Sequence, residues 1–224
     1  LAKIFSKFIL KLLTKKFIIM KIEFPLPHPV SQKIYESHLH KYLLVAHLDN
    51  EVSNKVMEEK QSFYDAYKEK EDINIKPHIT VSSFLAKESM EDTLIRWIQR
   101  ICGQQKSFMA TLNNYSGFPP HTIYLRVQDE HPFQKLTLDL KVINTYISSC
   151  ACPPMKIISK PYVSIARSLP EDIYFKALTQ YAHKSFHESF EVNKLYLIKK
   201  EHPYDAGKSI NVFGLPPDGN ALLN

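Results

Sequence analysis

A chain of 224 residues, of which 44% are hydrophobic and 23% charged, is long enough for one sizeable core and has the composition of a globular protein. Its five glycines against fourteen prolines, and the absence of GxGxxG and GxxxxGK(S/T) patterns, exclude the common glycine-rich nucleotide-binding loops. Five lysines precede Met20 without a single acid and account for all but one of the six net positive charges. The rest of the chain is nearly neutral, so any contact with RNA depends on a local groove rather than on a strongly basic surface.

The first nineteen residues have a pattern of their own. Lysines recur every four positions while apolar residues fill the opposite side, as in a basic amphipathic helix; these lysines are Lys3, Lys7, Lys11 and Lys15. Lysine interrupts the apolar stretches too often for a membrane-spanning helix. Two interpretations remain: residues 1–19 contact a membrane surface, or they precede a true start at Met20, which is the interpretation we favour. Residues 20–224 are expected to form a single domain.

After Met20 the apolar periodicity alternates between strands and helices. The first half predicts a strand, a helix, a strand, a helix and two strands, at Tyr42–Leu48, Glu51–Lys70, His78–Phe84, Met90–Cys102, Phe108–Tyr115 and Thr122–Val127. The second half predicts a helix, a strand, a helix and two strands, at Pro132–Ser148, Tyr162–Ala166, Ile173–His183, Phe190–Ile198 and Ser209–Phe213. We expect the two halves, roughly residues 41–128 and 129–213, to be similar lobes with a groove between them.

Two short segments within this pattern are near copies. The segment KPHITV begins at Lys76, and KPYVSI repeats it 84 positions later. Residues two apart share one face of a strand, so His78 lies beside Thr80 and Tyr162 lies beside Ser164. We therefore expect two polar pairs to face the groove, one from each lobe.

A histidine beside a hydroxyl residue provides a proton-transfer group and a hydrogen-bond donor. Two facing pairs would let one side chain take a proton from an attacking hydroxyl or water while the other gives a proton to the leaving oxygen. Imidazole suits both roles, because its ordinary pKa of about 6.5 is close to neutral pH. The hydroxyls would hold phosphate oxygens and stabilise the charge of the transition state. This chemistry requires neither a metal ion nor a cofactor.

The paired motifs resemble the two H-x-(S/T) motifs of the two-histidine phosphoesterase superfamily, in its 2′-5′ RNA ligase-like, cyclic phosphodiesterase branch. The resemblance extends over roughly residues 41–213, because the order of the strands and helices agrees as well. It implies an α+β fold with two pseudo-two-fold related lobes, each of antiparallel sheet plus helices, around a central cleft. It also implies a metal-independent hydrolase or ligase acting on 2′,3′-cyclic phosphates or 2′-5′-linked RNA ends. By this resemblance His78 is a catalytic histidine, and Thr80 and Ser164 bind the phosphate.

Position 162 departs from that family pattern, because tyrosine stands where the second histidine is expected. A phenol, whose ordinary pKa is about 10, stays protonated at neutral pH, so it can donate a proton but is a poor base. Three alternatives follow. Tyr162 is a general acid opposite His78, the protein binds nucleotides or RNA without turnover, or the chain descends from an enzyme and has lost its activity.

Three further residues are candidates for substrate binding. Tyr124 and Arg126 share one face of a predicted strand, where a tyrosine can stack on a base and an arginine can meet a phosphate, although a solvent-exposed sheet face explains the same pattern. Arg167 follows the second motif closely. The three cysteines are too few for a disulfide framework and lack the spacing of a zinc site. They favour reduced thiols in a cytoplasmic protein, which we expect to be a monomer.

Overall fold

Nine strands and five α-helices make up the part of the chain that the computed structural model describes, which is residues 39–69, 73–118, 121–201 and 207–217. The strands are β1 (Leu39–His47), β2 (His78–Lys87), β3 (Phe108–Phe118), β4 (Thr122–Val127), β5 (Lys156–Ile157), β6 (Tyr162–Ala166), β7 (His187–Val192), β8 (Lys194–Lys200) and β9 (Lys208–Gly214). The helices are α1 (Asn50–Tyr67), α2 (Glu91–Cys102), α3 (His131–Asp139), α4 (Lys141–Ser149) and α5 (Glu171–Tyr181). The leader expected at residues 1–19 and the domain start at Met20 lie outside the described residues.

The strands form two antiparallel sheets. The first has the order β5-β2-β1-β8-β9, and the second has the order β6-β4-β3-β7. Alternation decides which side of a strand is buried: on β4, Ile123, Leu125 and Val127 are buried, while Tyr124 is half-buried and Arg126 is exposed. The α+β fold class predicted from the sequence is confirmed.

Each sheet takes strands from both halves of the chain. The first sheet joins β1 and β2 to β5, β8 and β9, and the second joins β3 and β4 to β6 and β7. The sheets therefore do not coincide with the expected halves, residues 41–128 and 129–213. The physical reason is the pairing of the strands. β2 and β3 are consecutive strands separated by α2, but β2 pairs with β1 whereas β3 pairs with β7.

The helices cover the buried faces of the sheets. α1 packs on β6 and β7, α5 packs on β3 and β4, and α2 packs on β9. On α1, Val52, Val56 and Phe63 recur at helical spacing and are nearly inaccessible to solvent. None of the helices among the described residues is long and apolar enough to cross a bilayer.

Three predicted elements end or divide at positions with a local cause. α1 ends at Tyr67 rather than at residue 70, because Lys68 takes the left-handed conformation, with φ of 61°. The helix predicted over residues 132–148 is two helices, separated at Leu140, whose ψ of −10° departs from helical geometry. The strand predicted over residues 190–198 is two strands, because the chain crosses at Asn193 from the second sheet to the first.

Candidate functional site

The two copies of the lysine-proline motif have the same pattern of burial. In each copy the lysine is exposed, the proline is buried, and the next four residues alternate between half-buried and buried. β2 begins at His78 and β6 begins at Tyr162, so a proline stands immediately before each strand, where its missing N–H costs no ladder hydrogen bond. Thr80 and Ser164 consequently occupy equivalent positions on partly accessible strand faces.

The four motif residues line one cavity, which we call the motif cavity. Its volume is about 110 Å³, and its lining consists of His78, Thr80, Ile158, Tyr162, Ser164 and Arg167. β2 and β6 belong to different sheets but contact one another here. The structure thus brings together both predicted polar pairs and Arg167. A cavity of this size suits a phosphate group, since pockets that enclose a drug-sized ligand begin at about 300 Å³.

The backbone that precedes β2 orients the ring of His78. Its Nδ1 lies 2.8 Å from the carbonyl oxygen of Lys76. A carbonyl only accepts hydrogen bonds, so Nδ1 carries the proton of the neutral ring and Nε2 is left able to accept one. Lys60, which is only 3% exposed, donates from Nζ to the carbonyl oxygen of Ile75 at 2.9 Å and so holds the same loop.

The imidazole of His78 is neutral at physiological pH. Burial lowers its pKa to about 4, because excluding water destabilises the imidazolium form. The hydrogen bond to Lys76 acts in the opposite direction, while the charges of His47, Lys60 and Arg167 lower the pKa further. A bound phosphate would add negative charge next to the ring and raise this pKa.

His47 is a neighbour of His78 that the sequence reasoning did not single out. It lies opposite His78 in the β1–β2 register, with the two ring centroids 6.2 Å apart in an edge-to-face arrangement. Its ring also contacts Tyr196 at 4.5 Å, and burial is the main cause that lowers its pKa. It faces a different cavity, of about 460 Å³, that Lys76 also lines. The signal for it in the sequence is that His47 is the one histidine in the otherwise apolar run Tyr42–Leu48.

Tyr162 is packed among aromatic rings. Its ring centroid lies 5.2 Å from that of Phe118 and 5.0 Å from that of Tyr124, and Phe118 stacks on Tyr124 at 4.4 Å with an interplanar angle of 19°. Such contacts fix the plane of the ring beyond what burial alone would do. Phe118 was not a candidate from the sequence, where it reads only as part of a turn-rich connection.

Tyr124 and Arg126 lie outside the motif cavity but next to it. They are paired with Ser164 and Tyr162, respectively, in the β4–β6 register. Both line a second cavity of about 360 Å³, which we call the side cavity. The side cavity also reaches the lysine-proline pair before Tyr162, so the two cavities adjoin at β6.

Within the described ranges, no three His, Cys, Asp or Glu side chains lie close enough together to hold a metal ion. The motif cavity instead offers hydroxyl groups on Thr80 and Ser164, the imidazole of His78, the phenol of Tyr162 and the guanidinium of Arg167. These groups can bind an anion and move protons.

The sequence profile of the 2′-5′ RNA ligase superfamily matches residues 50–203, which include both motifs and most of the chain. The chain belongs to this superfamily. No curated protein matches the sequence. The match to the superfamily profile confirms the resemblance inferred from the paired motifs.

Several solved structures have the same fold as this chain. The protein TT0787 of Thermus thermophilus has a TM-score of 0.59 at 16% identity, with 80% of this chain and 99% of that chain covered. Escherichia coli LigT in its apo form has a TM-score of 0.54 at 14% identity, with 80% and 98% covered. LigT complexed with 3′-AMP gives 0.53 at 14% identity, with 79% and 98% covered. At these identities the likeness establishes the fold alone.

Proposed function

We propose that this protein is a metal-independent phosphodiesterase that opens 2′,3′-cyclic phosphates or acts on 2′-5′-linked RNA ends. The observation that carries the proposal is the meeting of both motifs at one phosphate-sized cavity, whose lining includes a neutral histidine and a phenol. Membership of the 2′-5′ RNA ligase superfamily supports the reaction class, and the 3′-AMP in the related LigT structure supports a nucleotide ligand.

In the proposed reaction, Nε2 of His78 takes a proton from water as the water oxygen attacks phosphorus. The bond between phosphorus and one ribose oxygen breaks, and the phenol of Tyr162 gives its proton to that oxygen. The ring opens to a phosphomonoester, and the proton on His78 returns through solvent to the phenolate, so the enzyme is regenerated. Proton transfer at each end typically contributes about 10²–10⁴-fold to the rate.

Thr80, Ser164 and Arg167 are proposed to bind the non-bridging phosphate oxygens. The two hydroxyls come from equivalent positions of the two motifs and both residues line the cavity, so both can donate to a phosphate held there. The positive charge of Arg167 is close enough to affect the pKa of His78, which supports a position near the expected phosphate. Donors fixed in advance stabilise charge in the transition state without reorganisation.

The test is an assay of the wild-type protein and His78→Ala against 2′,3′-cyclic nucleotides and short 2′-5′-linked RNA. Turnover that falls by about 10²–10⁴-fold in His78→Ala is the expected result. Equal activity in the two proteins would contradict the role of His78.

A second candidate is a nucleotide- or RNA-binding protein without turnover. The packing of Tyr162 among Phe118 and Tyr124 favours it, because a ring held in this way can serve binding alone. Calorimetry that shows binding of an intact cyclic nucleotide, with no product after long incubation, would select this candidate. Under both candidate functions, the free thiols of Cys102, Cys150 and Cys152 support a reducing, cytoplasmic location for the protein.

A further inference from the structure

We propose that His121 is a positioning residue for Arg167, because it fixes the turn after β6 and so holds the guanidinium of Arg167 at the motif cavity. This inference deepens the proposed function and rests on it, since it concerns how the arginine is presented to the phosphate. Arg167 lines the motif cavity, whereas His121 lines neither cavity and acts through the backbone of the turn. The sequence reasoning did not single out His121.

A bulge near the end of β6 turns Arg167 towards the motif cavity. The β4–β6 register shifts by one residue between Ser164 and Ala166, so Ile165 is an additional residue in β6. In a regular strand Ala166 would share the face of Ser164, and Arg167 would point to the buried side. The additional residue reverses this alternation: Ala166 is buried, whereas Arg167 is exposed and lines the cavity together with Ser164.

The turn that follows Arg167 has a strained backbone. Ser168 has φ of 54°, in the left-handed region, which costs free energy in a residue that carries a side chain. Such a conformation persists only where neighbouring contacts determine it, and strained residues of this kind are concentrated at functional sites. The strain at Ser168 stands immediately after an arginine that lines the proposed phosphate site. Contacts around the turn must therefore offset it.

His121, the residue before β4, provides two of these contacts. The backbone N–H of Leu169 donates to the carbonyl oxygen of His121 at 3.1 Å. Nδ1 of His121 lies 2.8 Å from the carbonyl oxygen of Leu169 and donates to it, because a carbonyl only accepts hydrogen bonds. His121 thus binds both backbone polar groups of Leu169, whose side chain is buried in the core. The backbone of Arg167 and Ser168 is held between this pair of hydrogen bonds and β6.

The position of this backbone decides how the guanidinium of Arg167 meets a phosphate. Arginine loses side-chain freedom when it binds, and a backbone that is fixed in advance reduces this cost. We therefore expect loss of the imidazole of His121 to weaken phosphate binding, and to do so only while Arg167 is present. This coupling between the two residues distinguishes positioning from a general effect on stability.

A double-mutant cycle tests this coupling. Adenosine 3′-monophosphate is titrated by calorimetry into the wild-type protein, His121→Ala, Arg167→Ala and the double variant, with circular dichroism to confirm that each is folded. Arg167→Ala should weaken binding at least about tenfold, the size of a hydrogen bond to a charged group. His121→Ala should weaken binding about two- to tenfold when Arg167 is present and should have no further effect in Arg167→Ala. An equal loss in both backgrounds, or no loss in either, would refute the positioning role.

Two further variants serve as rescue and control. His121→Asn keeps an N–H donor close to the position of Nδ1, so it should restore most of the affinity that His121→Ala loses. His183→Ala should bind like the wild type, because His183 is exposed in the turn after α5 and lines neither cavity. A folded His121→Asn that binds as weakly as His121→Ala would contradict the role of the hydrogen bond to Leu169.

Hydrogen exchange separates this inference from the proposed function, because it requires neither a ligand nor turnover. The amide of Leu169, followed by NMR, should exchange about two- to tenfold faster in His121→Ala than in the wild type and should recover in His121→Asn. This result supports the positioning of the turn even if the wild-type protein neither binds nor cleaves a nucleotide, in which case the proposed function alone fails. Equal exchange in the wild type and His121→Ala refutes the positioning role even if nucleotides are bound and cleaved.

Discussion

The pKa of His78 makes a quantitative prediction about pH dependence. The kcat/KM of the free protein should be constant through neutral pH and should fall tenfold per pH unit only below about 4, because the base loses its function when it is protonated. With an unperturbed histidine, this decrease in kcat/KM, the acid limb of the profile, would instead begin at about pH 6.5. The limb in kcat should lie at a higher pH than the limb in kcat/KM, since the bound phosphate anion stabilises the imidazolium form.

The assay is a pH–rate profile from about pH 3.5 to 8 on a 2′,3′-cyclic nucleotide, with circular dichroism at each pH to confirm that the protein is folded. His78→Ala should lower kcat at pH 7 by about 10²–10⁴-fold and remove the acid limb. His183→Ala is the control, because His183 is exposed in the turn after α5 and lines neither cavity. A wild-type kcat/KM limb near pH 6.5, or an acid limb that survives in His78→Ala, would refute the reasoning.

The same shift has a consequence for stability. The unfolded chain takes up a proton at His78 near pH 6.5, whereas the folded chain does so only near pH 4. The free energy of unfolding should therefore decrease as the pH falls from about 6.5 to about 4 and level off below that, by about 2–3 kcal/mol once the partial exposure of the ring is allowed for. Urea titrations of wild type and His78→Ala should show a smaller pH dependence in the variant. If the two proteins showed the same pH dependence of the free energy of unfolding, a group other than His78 would take up the proton.

Three further changes test other parts of the structure. Tyr162→His should raise kcat at least about tenfold if the motif cavity is otherwise competent, whereas Tyr162→Phe should lower kcat, because the phenol proton is lost. Steady-state assays of the wild type and both variants measure this, and equal rates in all three proteins would contradict the role of Tyr162 as an acid. Incubation with EDTA should leave cyclic phosphate turnover unchanged, and a loss that Mg²⁺ or Zn²⁺ restores would contradict the metal-independent reaction. Gly117→Ala should reduce the free energy of unfolding by about 1–3 kcal/mol, because a Cβ there would lie 2.5 Å from the hydroxyl of the fully buried Tyr174. A melting temperature equal to that of the wild type would refute this packing argument.

The motif strands could be predicted from sequence because their determinants are local. An alternating run behind a proline has one register that buries its apolar members, so the faces of Thr80 and Ser164 follow from the sequence alone. The strand faces of Tyr124 and Arg126 follow in the same way. The structure places these two residues beside the motif cavity rather than in it, a distinction that depends on the pairing of β4 with β6.

The sheet pairing could not be predicted, because it is non-local. Nothing in the run over residues 190–198 indicates that its two ends belong to different sheets, since a buried strand has the same apolar residues whichever neighbour it meets. The crossing at Asn193 brings β8 next to β1, and the pairing of β1 with β2 places His47 beside His78. The two sheets therefore do not follow the halves expected from the repeat, whereas both motif segments form strands, as the repeat predicts.

Tyr162 lies where the motif cavity and the side cavity adjoin. Tyr162 itself lines the motif cavity, while its ring contacts Phe118 and Tyr124, which line the side cavity. A histidine at position 162 would restore an acid with a pKa closer to neutral, but its smaller ring would lose part of the contact with Phe118 and Tyr124. Tyr162→His should therefore raise kcat and at the same time lower the free energy of unfolding, which a rate assay and a urea titration of the same variant measure. A rise in kcat with an unchanged free energy of unfolding would show that the ring of Tyr162 contributes nothing to the packing of Phe118 and Tyr124.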